Sequence, residues 1–180
     1  GFEVELIRVN EGQSLPSSFD VLLAGGGQDS GQFKVEADLR KKGSQLRAAF
    51  KDGAVGLVVC GTYQLFGREF KTSEGKVISG IDVFNLSTVA GRQRLIGNIV
   101  VDSDFGQLVG YENHSGQTYL GEGQLPLGGV IKGAGNNGET GEEGAVLNNL
   151  FGTYMHGPLL PKNPGLTDEL LERTWRNLSL

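Results

Sequence analysis

The chain has 180 residues, a formal net charge of −5, 30 glycines and a single cysteine. This length suits one domain with its own hydrophobic core, and the acidic balance excludes nonspecific binding to nucleic acid or to anionic lipid. No apolar run approaches the roughly 20 residues that span a bilayer, and no signal peptide is visible. Since one cysteine cannot form an intrachain disulfide, we expect a cytoplasmic protein without direct membrane insertion.

The first half of the chain alternates segments typical of strands and of helices. Residues 2–6 alternate apolar and acidic side chains, which predicts a half-exposed strand. Residues 20–24 form a short apolar run that ends in three glycines, which predicts a buried parallel strand. The apolar side chains between residues 32 and 51 recur mostly at helical spacing, and Gly43 predicts a break between two helices.

A second strand and helix follow. Residues 54–59 are apolar throughout, which predicts a buried strand, and we expect a helix from the next turn to about Arg68. Strands that alternate with helices are typical of α/β proteins. The first half therefore predicts an open, mostly parallel sheet with flanking helices.

The second half contains strand-like segments that are joined by turns rather than by helices. These segments are residues 81–89, 94–101, 107–111, 129–132 and 149–155. We expect some of them to join the central sheet and the others to form an antiparallel layer over one of its ends. The polar, glycine-rich residues 133–144 predict a mobile loop, for which a surface hairpin without a role is the alternative.

The last segment predicts an amphipathic helix. Thr167 is a good N-cap residue, and acidic residues follow it in the first turn. The predicted apolar stripe consists of Leu170, Leu171, Trp175 and Leu178.

Cys60 ends the apolar run of residues 54–59 and begins a sharp turn into the next predicted helix. Such a turn lifts a side chain above the edge of the sheet and directs a helix N-terminus at the sulfur, which favours the thiolate. A buried structural cysteine is the alternative. The small Gly61 directly after the cysteine and the polar Gln64 one helical turn later favour a nucleophile.

His156 lies where a second predicted strand stops, because Pro158 cannot donate to a strand ladder and Gly157 permits a turn. A histidine with satisfied hydrogen bonds at a strand end is the alternative. Open α/β sheets carry their sites at the carboxyl ends of the strands. If both strands end at the same edge, Cys60 and His156 emerge side by side.

Two further segments carry groups that suit a site. Gly25, Gly26 and Gly27 follow a strand, and their backbone N–H groups could hold an oxyanion, with a plain turn as the alternative. The lysine and serine of a phosphate-binding P-loop are absent. Residues 111–116 collect polar groups behind an apolar strand, where a capped strand end is the alternative. Metal binding there is weakly indicated, since the chain has two histidines and no ligand spacing.

Five segments, in this order, resemble the triad-type glutamine amidotransferases of the cobyric-acid-synthase-like group. They are residues 25–29, 60–67, 94–98, 110–114 and 152–164. Within that group they are most similar to glutaminase subunits that serve the amidation of glutamate in peptidoglycan precursors. The resemblance implies a class I amidotransferase fold of flavodoxin-like architecture over residues 1–180, without the usual first strand and helix.

The resemblance also implies how the reaction would proceed. Cys60 would form a thioester with the side chain of L-glutamine, and His156 would act first as its base and then as the acid for ammonia. The backbone N–H groups of Gly27 and Gly61 would hold the oxyanion.

Further roles follow from the same resemblance. Arg94 and Gln64 would line the glutamine pocket, and a guanidinium suits the two oxygens of an α-carboxylate. Related triad enzymes carry a glutamate two residues after the histidine, where this chain has Pro158. The carboxylate that orients His156 would then be Glu112 or would come from a partner subunit, and we prefer the partner.

The chain has no P-loop for ATP and no evident magnesium cluster. The resemblance therefore implies no cofactor on this chain, with ATP and Mg²⁺ on a Mur-ligase-like synthetase subunit. That subunit would form a heterodimer with this chain and amidate the D-glutamate of lipid II. Three alternatives are an amidotransferase domain for a cobyric-acid-type acceptor, a stand-alone cysteine hydrolase or peptidase, and a noncatalytic docking module.

Overall fold

The computed structural model describes residues 3–26 and 32–179. Within these ranges the chain forms two sheets, A and B, with helices packed against them. In chain order the elements are β1 (Val21–Ala24), α1 (Gln32–Lys51), β2 (Val55–Val59), α2 (Gly61–Leu65), β3 (Glu69–Lys71), β4 (Val77–Ser79), β5 (Leu86–Ser103), β6 (Gly106–Leu120), β7 (Gly128–Lys132), β8 (Glu142–Glu143), β9 (Ala145–Leu147), β10 (Leu150–Thr153), β11 (Met155–His156), α3 (Leu159–Lys162) and α4 (Pro164–Leu178).

Sheet A has the strand order β1-β2-β10-β9 and contains the parallel part of the fold. β1 and β10 both run parallel to β2, whereas β9 runs antiparallel to β10. The central strand β2 is apolar and almost wholly buried, as a parallel strand covered on both faces must be. The predicted α/β class with a parallel sheet and flanking helices is confirmed.

Sheet B is mainly antiparallel and has the strand order β11-β6-β5-β3-β4, with β7 paired to β5 and β8 paired to β7. Its centre is the long hairpin of β5 and β6. β3 is an exception, since it runs parallel to β5. The predicted antiparallel layer of the second half is therefore present, while β9 and β10 are the segments of that half that join sheet A.

Helices cover both faces of sheet A. Phe50 of α1 belongs to the same buried cluster as Val58. Leu166 and Leu170 of α4 belong to a second buried cluster with Leu57. Because successive side chains of a strand point to opposite faces, α1 and α4 lie on opposite sides of β2. Among the described residues, no helix combines the length and the apolar character that crossing a membrane requires.

Three predictions for the first half are wrong in detail. Residues 3–6 form no strand, and Val4 is 78% exposed. The predicted strand at 20–24 exists as β1, but it lies at an edge of sheet A and Leu23 is 61% exposed rather than buried. α1 runs through Gly43 without a break; a Cβ there would lie 3.1 Å from Cγ2 of Ile81, so the glycine permits a close approach.

The helix after Cys60 is shorter than predicted. It ends at Leu65, not near Arg68, and the chain then forms the hairpin of β3 and β4, which the sequence analysis missed. Each of these two strands has three residues, so neither is long enough to show a clear alternation of apolar and polar side chains.

The strands of the central hairpin are longer than predicted. Only residues 86–89 of the predicted segment 81–89 are in a strand, and together with all of 94–101 they belong to one strand, β5, whose pairing with β6 shifts register between Ala90 and Leu95. β6 continues through residues 111–116, so this polar segment lies within a strand and not at a capped strand end. The irregularity in β5 is a bulge, which re-aims side chains locally without ending the pairing.

The glycine-rich segment 133–144 is not a mobile polar loop. Asn136, Asn137 and Glu143 are buried and hydrogen-bonded. The side chain of Asn136 accepts from the N–H of Gly144 and donates to its carbonyl, both at 2.9 Å. These bonds close the segment on itself, and its end forms β8 of sheet B.

The final helix begins at Pro164, before the predicted cap at Thr167. Leu170 is buried, as the apolar stripe predicts. The other residues of the stripe are exposed: Leu171, Trp175 and Leu178.

Gly56 of β2 lies against α1, and a Cβ at this position would lie 2.6 Å from Cε1 of Phe50. We expect Gly56→Ala to lower the free energy of unfolding by about 1–3 kcal/mol, since the buried ring must move to admit a methyl group. Urea unfolding followed by circular dichroism measures this change. Gly97→Ala in β5 is the matched control, because no atom lies within 4 Å of a Cβ there. Equal effects of the two substitutions would contradict the close helix–sheet contact.

Candidate active site

Cys60 is the single residue between β2, which ends at Val59, and α2, which begins at Gly61. Its backbone has φ 55° and ψ −113°, in a region that residues with a Cβ rarely adopt. The N–H of Cys60 donates to the carbonyl of Thr153 at 2.8 Å, and its carbonyl accepts from the N–H of Gln64 at 3.0 Å. A strained strand-to-helix turn of this kind is typical of an exposed nucleophile.

His156 follows strand β10, which ends at the same edge of sheet A as the strand before Cys60. β2 and β10 are parallel neighbours, and Thr153 lies in register with Val59. After Tyr154, the chain enters β11 and pairs with β6 of sheet B. The structure therefore brings both predicted residues to the junction of the sheets, with the thiol carried by sheet A and the imidazole by sheet B.

The imidazole of His156 is half-buried, and its Nε2 atom is buried without a hydrogen-bond partner among the described residues. Burial lowers the pKa of His156 below its usual 6.5, and the positive charge of Arg94 lowers it further. A neutral imidazole is the form that accepts a proton from a thiol or from water. The environment of His156 therefore suits a general base.

Arg94 lies at the bulge of the central hairpin, next to the pair of histidines. Its Nε donates to Oδ1 of Asn113 at 2.6 Å, which ties the side chain across the two strands. Its charge lowers the pKa of both His156 and His114, so the guanidinium lies near both rings. The predicted substrate-binding arginine thus stands close to the predicted base.

Gln64 of α2 is only 3% exposed. Its Nε2 donates to the hydroxyl of Tyr154 at 3.0 Å, and that hydroxyl lies 2.6 Å from Oγ1 of Thr118. Contact of Gln64 with glutamine stays a prediction. The sequence analysis missed Tyr154, which occupies the junction between the sheets and is fully buried.

His114 is a second buried histidine of the site. Its Nδ1 lies 2.7 Å from the carbonyl of Gly116, so this nitrogen donates and the buried Nε2 is the acceptor of the neutral ring. Its ring stacks on Tyr154 with centroids 3.5 Å apart. Burial is the main cause that lowers the pKa of His114 to about 4. In residues 3–26 and 32–179, no three His, Cys, Asp or Glu side chains are grouped to hold a metal ion.

Glu112, the candidate on this chain for the third catalytic member, is held by backbone N–H groups. Its Oε1 accepts from the N–H of Ala134 at 2.8 Å and its Oε2 from the N–H of Gly135 at 2.9 Å. Both carboxylate oxygens therefore anchor the start of the 133–144 segment. The charge of Arg94 lowers the pKa of His156. A role of Glu112 as third catalytic member stays a prediction.

The predicted oxyanion donors are only partly described. Gly27 lies outside the described residues, whereas Gly61 is buried and directly follows Cys60. A Cβ on Gly26 would lie 2.8 Å from the Cβ of Cys60, so the glycine loop passes close beside the cysteine. Thr62 Oγ1 donates to the carbonyl of Gly25 at 2.7 Å and ties this loop to α2.

Glu143 is a buried carboxyl group that the sequence analysis missed. Its Oε1 accepts from Oγ1 of Thr153 at 2.6 Å and from the N–H of Tyr154 at 2.7 Å. Burial raises the pKa of Glu143 to about 7. In sequence it is one of several acids in a glycine-rich stretch, which Asn136 and Gly144 close on itself in the folded chain.

The buried His114 makes stability depend on pH. The folded state keeps a neutral ring with a pKa of about 4, whereas the ordinary value is 6.5. Above pH 6.5 the ring is neutral in both states; as the pH falls toward 4, the unfolded chain binds a proton that the folded protein does not, so the free energy of unfolding decreases. His114→Phe keeps a ring on Tyr154 but cannot titrate. We therefore expect its free energy of unfolding not to show this decrease.

Urea unfolding of both proteins across this pH range measures the effect. Other titrating groups are shared, so they cancel in the difference between the two free energies of unfolding. A difference that stays constant with pH would contradict a buried, neutral His114.

Comparisons with known proteins identify the family. The sequence profile of the CobB/CobQ-like glutamine amidotransferase domain matches residues 2–164. The chain is 41% identical over 173 residues to the lipid II isoglutaminyl synthase (glutamine-hydrolyzing) subunit GatD of Staphylococcus aureus, covering 95% of this chain and 70% of that protein. It is 38% identical over 156 residues to GatD of Streptococcus pneumoniae, covering 85% of this chain and 60% of that protein.

The fold is similar to that of solved amidotransferases. A crystal structure of a glutamine amidotransferase matches with a TM-score of 0.65 and 16% sequence identity, covering 87% of this chain and 79% of that one. At this identity the likeness concerns the fold alone. Together with the profile match, it agrees with a parallel sheet whose central strand β2 ends at Val59, directly before Cys60. The chain belongs to the CobB/CobQ-like glutamine amidotransferase domain family.

Proposed function

We propose that this chain is the glutaminase subunit of a two-part amidating enzyme, which hydrolyses L-glutamine and passes ammonia to a synthetase subunit. The observation that carries the proposal is the strained Cys60 turn, which ends at the same sheet edge as His156. Membership of the amidotransferase family and the names of the two GatD relatives support it.

The reaction would begin with transfer of the Cys60 thiol proton to the neutral His156. The thiolate attacks the amide carbon of glutamine, and backbone N–H groups of Gly61 and Gly27 hold the oxyanion of the tetrahedral intermediate. The intermediate collapses as the imidazolium of His156 protonates the leaving ammonia, which leaves a glutamyl thioester. Water, deprotonated by His156, then cleaves the thioester to glutamate and restores the thiol.

The basic and buried groups around the pair would hold the substrate. The guanidinium of Arg94 carries paired donors that match the two oxygens of the α-carboxylate. Its fixed bond to Asn113 limits the freedom of the side chain before glutamine binds. Gln64 would act at the back of the pocket, where its amide already bonds to Tyr154.

The synthetase subunit would activate the acceptor and complete the site around His156. We propose a Mur-ligase-like partner that binds ATP and Mg²⁺, activates the D-glutamate of lipid II and contributes the carboxylate that orients His156. Two observations favour a carboxylate from the partner: Glu112 is bonded to Ala134 and Gly135, and the described charge near His156 is positive. The chain and its partner would form a heterodimer.

The nature of the acceptor rests on the relatives, because ammonia is the only product that must reach the partner. The GatD proteins are named as subunits of lipid II isoglutaminyl synthase, whereas the family as a whole is described as CobB/CobQ-like. Co-purification with a synthetase subunit, followed by amidation assays with lipid II and with a corrinoid carboxylate, distinguishes the two acceptors. Amidation of the corrinoid alone would overturn the peptidoglycan assignment.

Cys60→Ala tests the nucleophile. We expect glutamate release by the assembled enzyme to fall by at least about 10³-fold, since no other group can form the thioester. Amidation driven by added ammonium salt should persist, because the synthetase half does not use the thiol. Mass spectrometry after treatment with 6-diazo-5-oxo-L-norleucine should find the label on Cys60 of the wild type.

Two results would contradict the proposed function. Cleavage of unrelated peptides without hydrolysis of glutamine would favour a stand-alone cysteine hydrolase or peptidase. A thiol that ignores the glutamine analogue, in a complex that amidates with ammonium alone, would favour a noncatalytic docking module.

Arg94→Lys tests recognition of the α-carboxylate. Lysine keeps the positive charge but removes the paired donors, so we expect KM for glutamine to rise about tenfold while kcat changes little. Steady-state kinetics of glutamate release measures both constants. Arg92→Lys is the matched control, because Arg92 is an exposed arginine of the same bulge. An equal change in KM in both variants would contradict the placement of Arg94 in the glutamine pocket.

A further inference from the structure

Glu143 holds the three residues, 153–155, at which the chain passes from β10 of sheet A to β11 of sheet B. Its Oε1 accepts from Oγ1 of Thr153 at 2.6 Å and from the N–H of Tyr154 at 2.7 Å. The same Oγ1 of Thr153 accepts from the N–H of Met155 at 2.9 Å. One carboxylate oxygen therefore fixes three consecutive residues, two directly and the third through the threonine hydroxyl.

The proposed catalytic residues adjoin the two ends of this short segment, Cys60 through a hydrogen bond and His156 through the chain. The carbonyl of Thr153 accepts the N–H of Cys60 at 2.8 Å, so the strained turn depends on where Thr153 is held. His156 directly follows Met155 in β11. Any shift of the segment would thus move the thiol and the imidazole relative to each other.

We propose that Glu143 is a positioning residue that sets the distance and orientation between Cys60 and His156. This inference rests on the proposed function only in treating these two residues as the catalytic pair. Glu143 itself need not touch glutamine. It acts through Thr153, whose hydroxyl links the carboxylate to the segment.

The hydrogen bonds of Glu143 show which of its two oxygens holds the segment. Oε1 makes both bonds to the segment, while Oε2 is buried without a partner among the described residues. Tyr63, Tyr154 and Glu112 are titratable groups whose charges interact with that of Glu143. A glutamine at this position can keep the Oε1 acceptor in neutral form, whereas a leucine cannot.

The experiment compares Glu143→Leu, Glu143→Gln and Thr153→Val in the full chain. The first readout is the rate of Cys60 alkylation by iodoacetamide as a function of pH, which needs no partner and no glutamine. The second is kcat for glutamate release by the assembled enzyme. Thermal unfolding of each variant is followed in parallel, and Glu142→Leu, at the neighbouring residue of β8, is the matched control.

We expect Glu143→Leu and Thr153→Val to move the alkylation profile toward higher pH and to lower kcat by about 10²-fold, the loss typical of a misplaced catalytic pair. Glu143→Gln should restore kcat to within about tenfold of the wild type, since its amide oxygen replaces Oε1. Thr153→Val is nearly isosteric, so it keeps the test available if Glu143→Leu fails to fold.

An unchanged alkylation profile in a folded Thr153→Val or Glu143→Leu protein would overturn the proposal, even if its melting temperature falls. An equal shift in Glu142→Leu would do the same. If the assembled wild type releases no glutamate while the alkylation profiles shift as expected, the proposed function fails and the positioning of the thiol stands.

Discussion

The parallel pairing of β2 with β10 is the constraint on which the site depends. It ends both strands at one edge and gives the N–H of Cys60 a fixed acceptor in Thr153. That bond helps to compensate for the unfavourable φ of Cys60, since a positive φ is costly for a residue with a Cβ. The buried apolar strand β2 makes this pairing secure, because it packs against α1 on one face and α4 on the other. Hydrophobic packing therefore provides the frame, and one backbone bond places the sulfur.

Much of this arrangement could be predicted because it is written locally in the sequence. The apolar run before Cys60 and the Gly–Pro pair after His156 each signal a strand end by simple rules of chain geometry. The parallel sheet, the antiparallel layer and the meeting of the two strand ends follow from those signals. The sequence around Cys60 is sufficient to predict the strand-to-helix turn, because the residues that form this turn are adjacent in the chain.

What could not be predicted depends on contacts between distant segments. Gly43 has the composition of a helix break, but its role is to admit Ile81, which lies far along the chain. β1 has the composition of a buried strand, yet its position at the edge of sheet A leaves Leu23 exposed. Glu143 looks like a solvated acid until the 133–144 segment folds inward. In each case the tertiary arrangement determines the environment of the residue, and the spacing of residues in the sequence does not predict that environment.

The one-residue link at Tyr154 has a consequence for how variants of this protein should be judged. Apolar clusters hold the two sheets together, whereas a few polar bonds fix the backbone next to the sulfur and the ring. Thermostability therefore depends mainly on the apolar contacts, and the geometry of the catalytic pair depends on the polar bonds. A heat-resistant mutant can be inert, and a fragile one can be fully competent, so melting temperature alone is a poor guide when engineering such a domain.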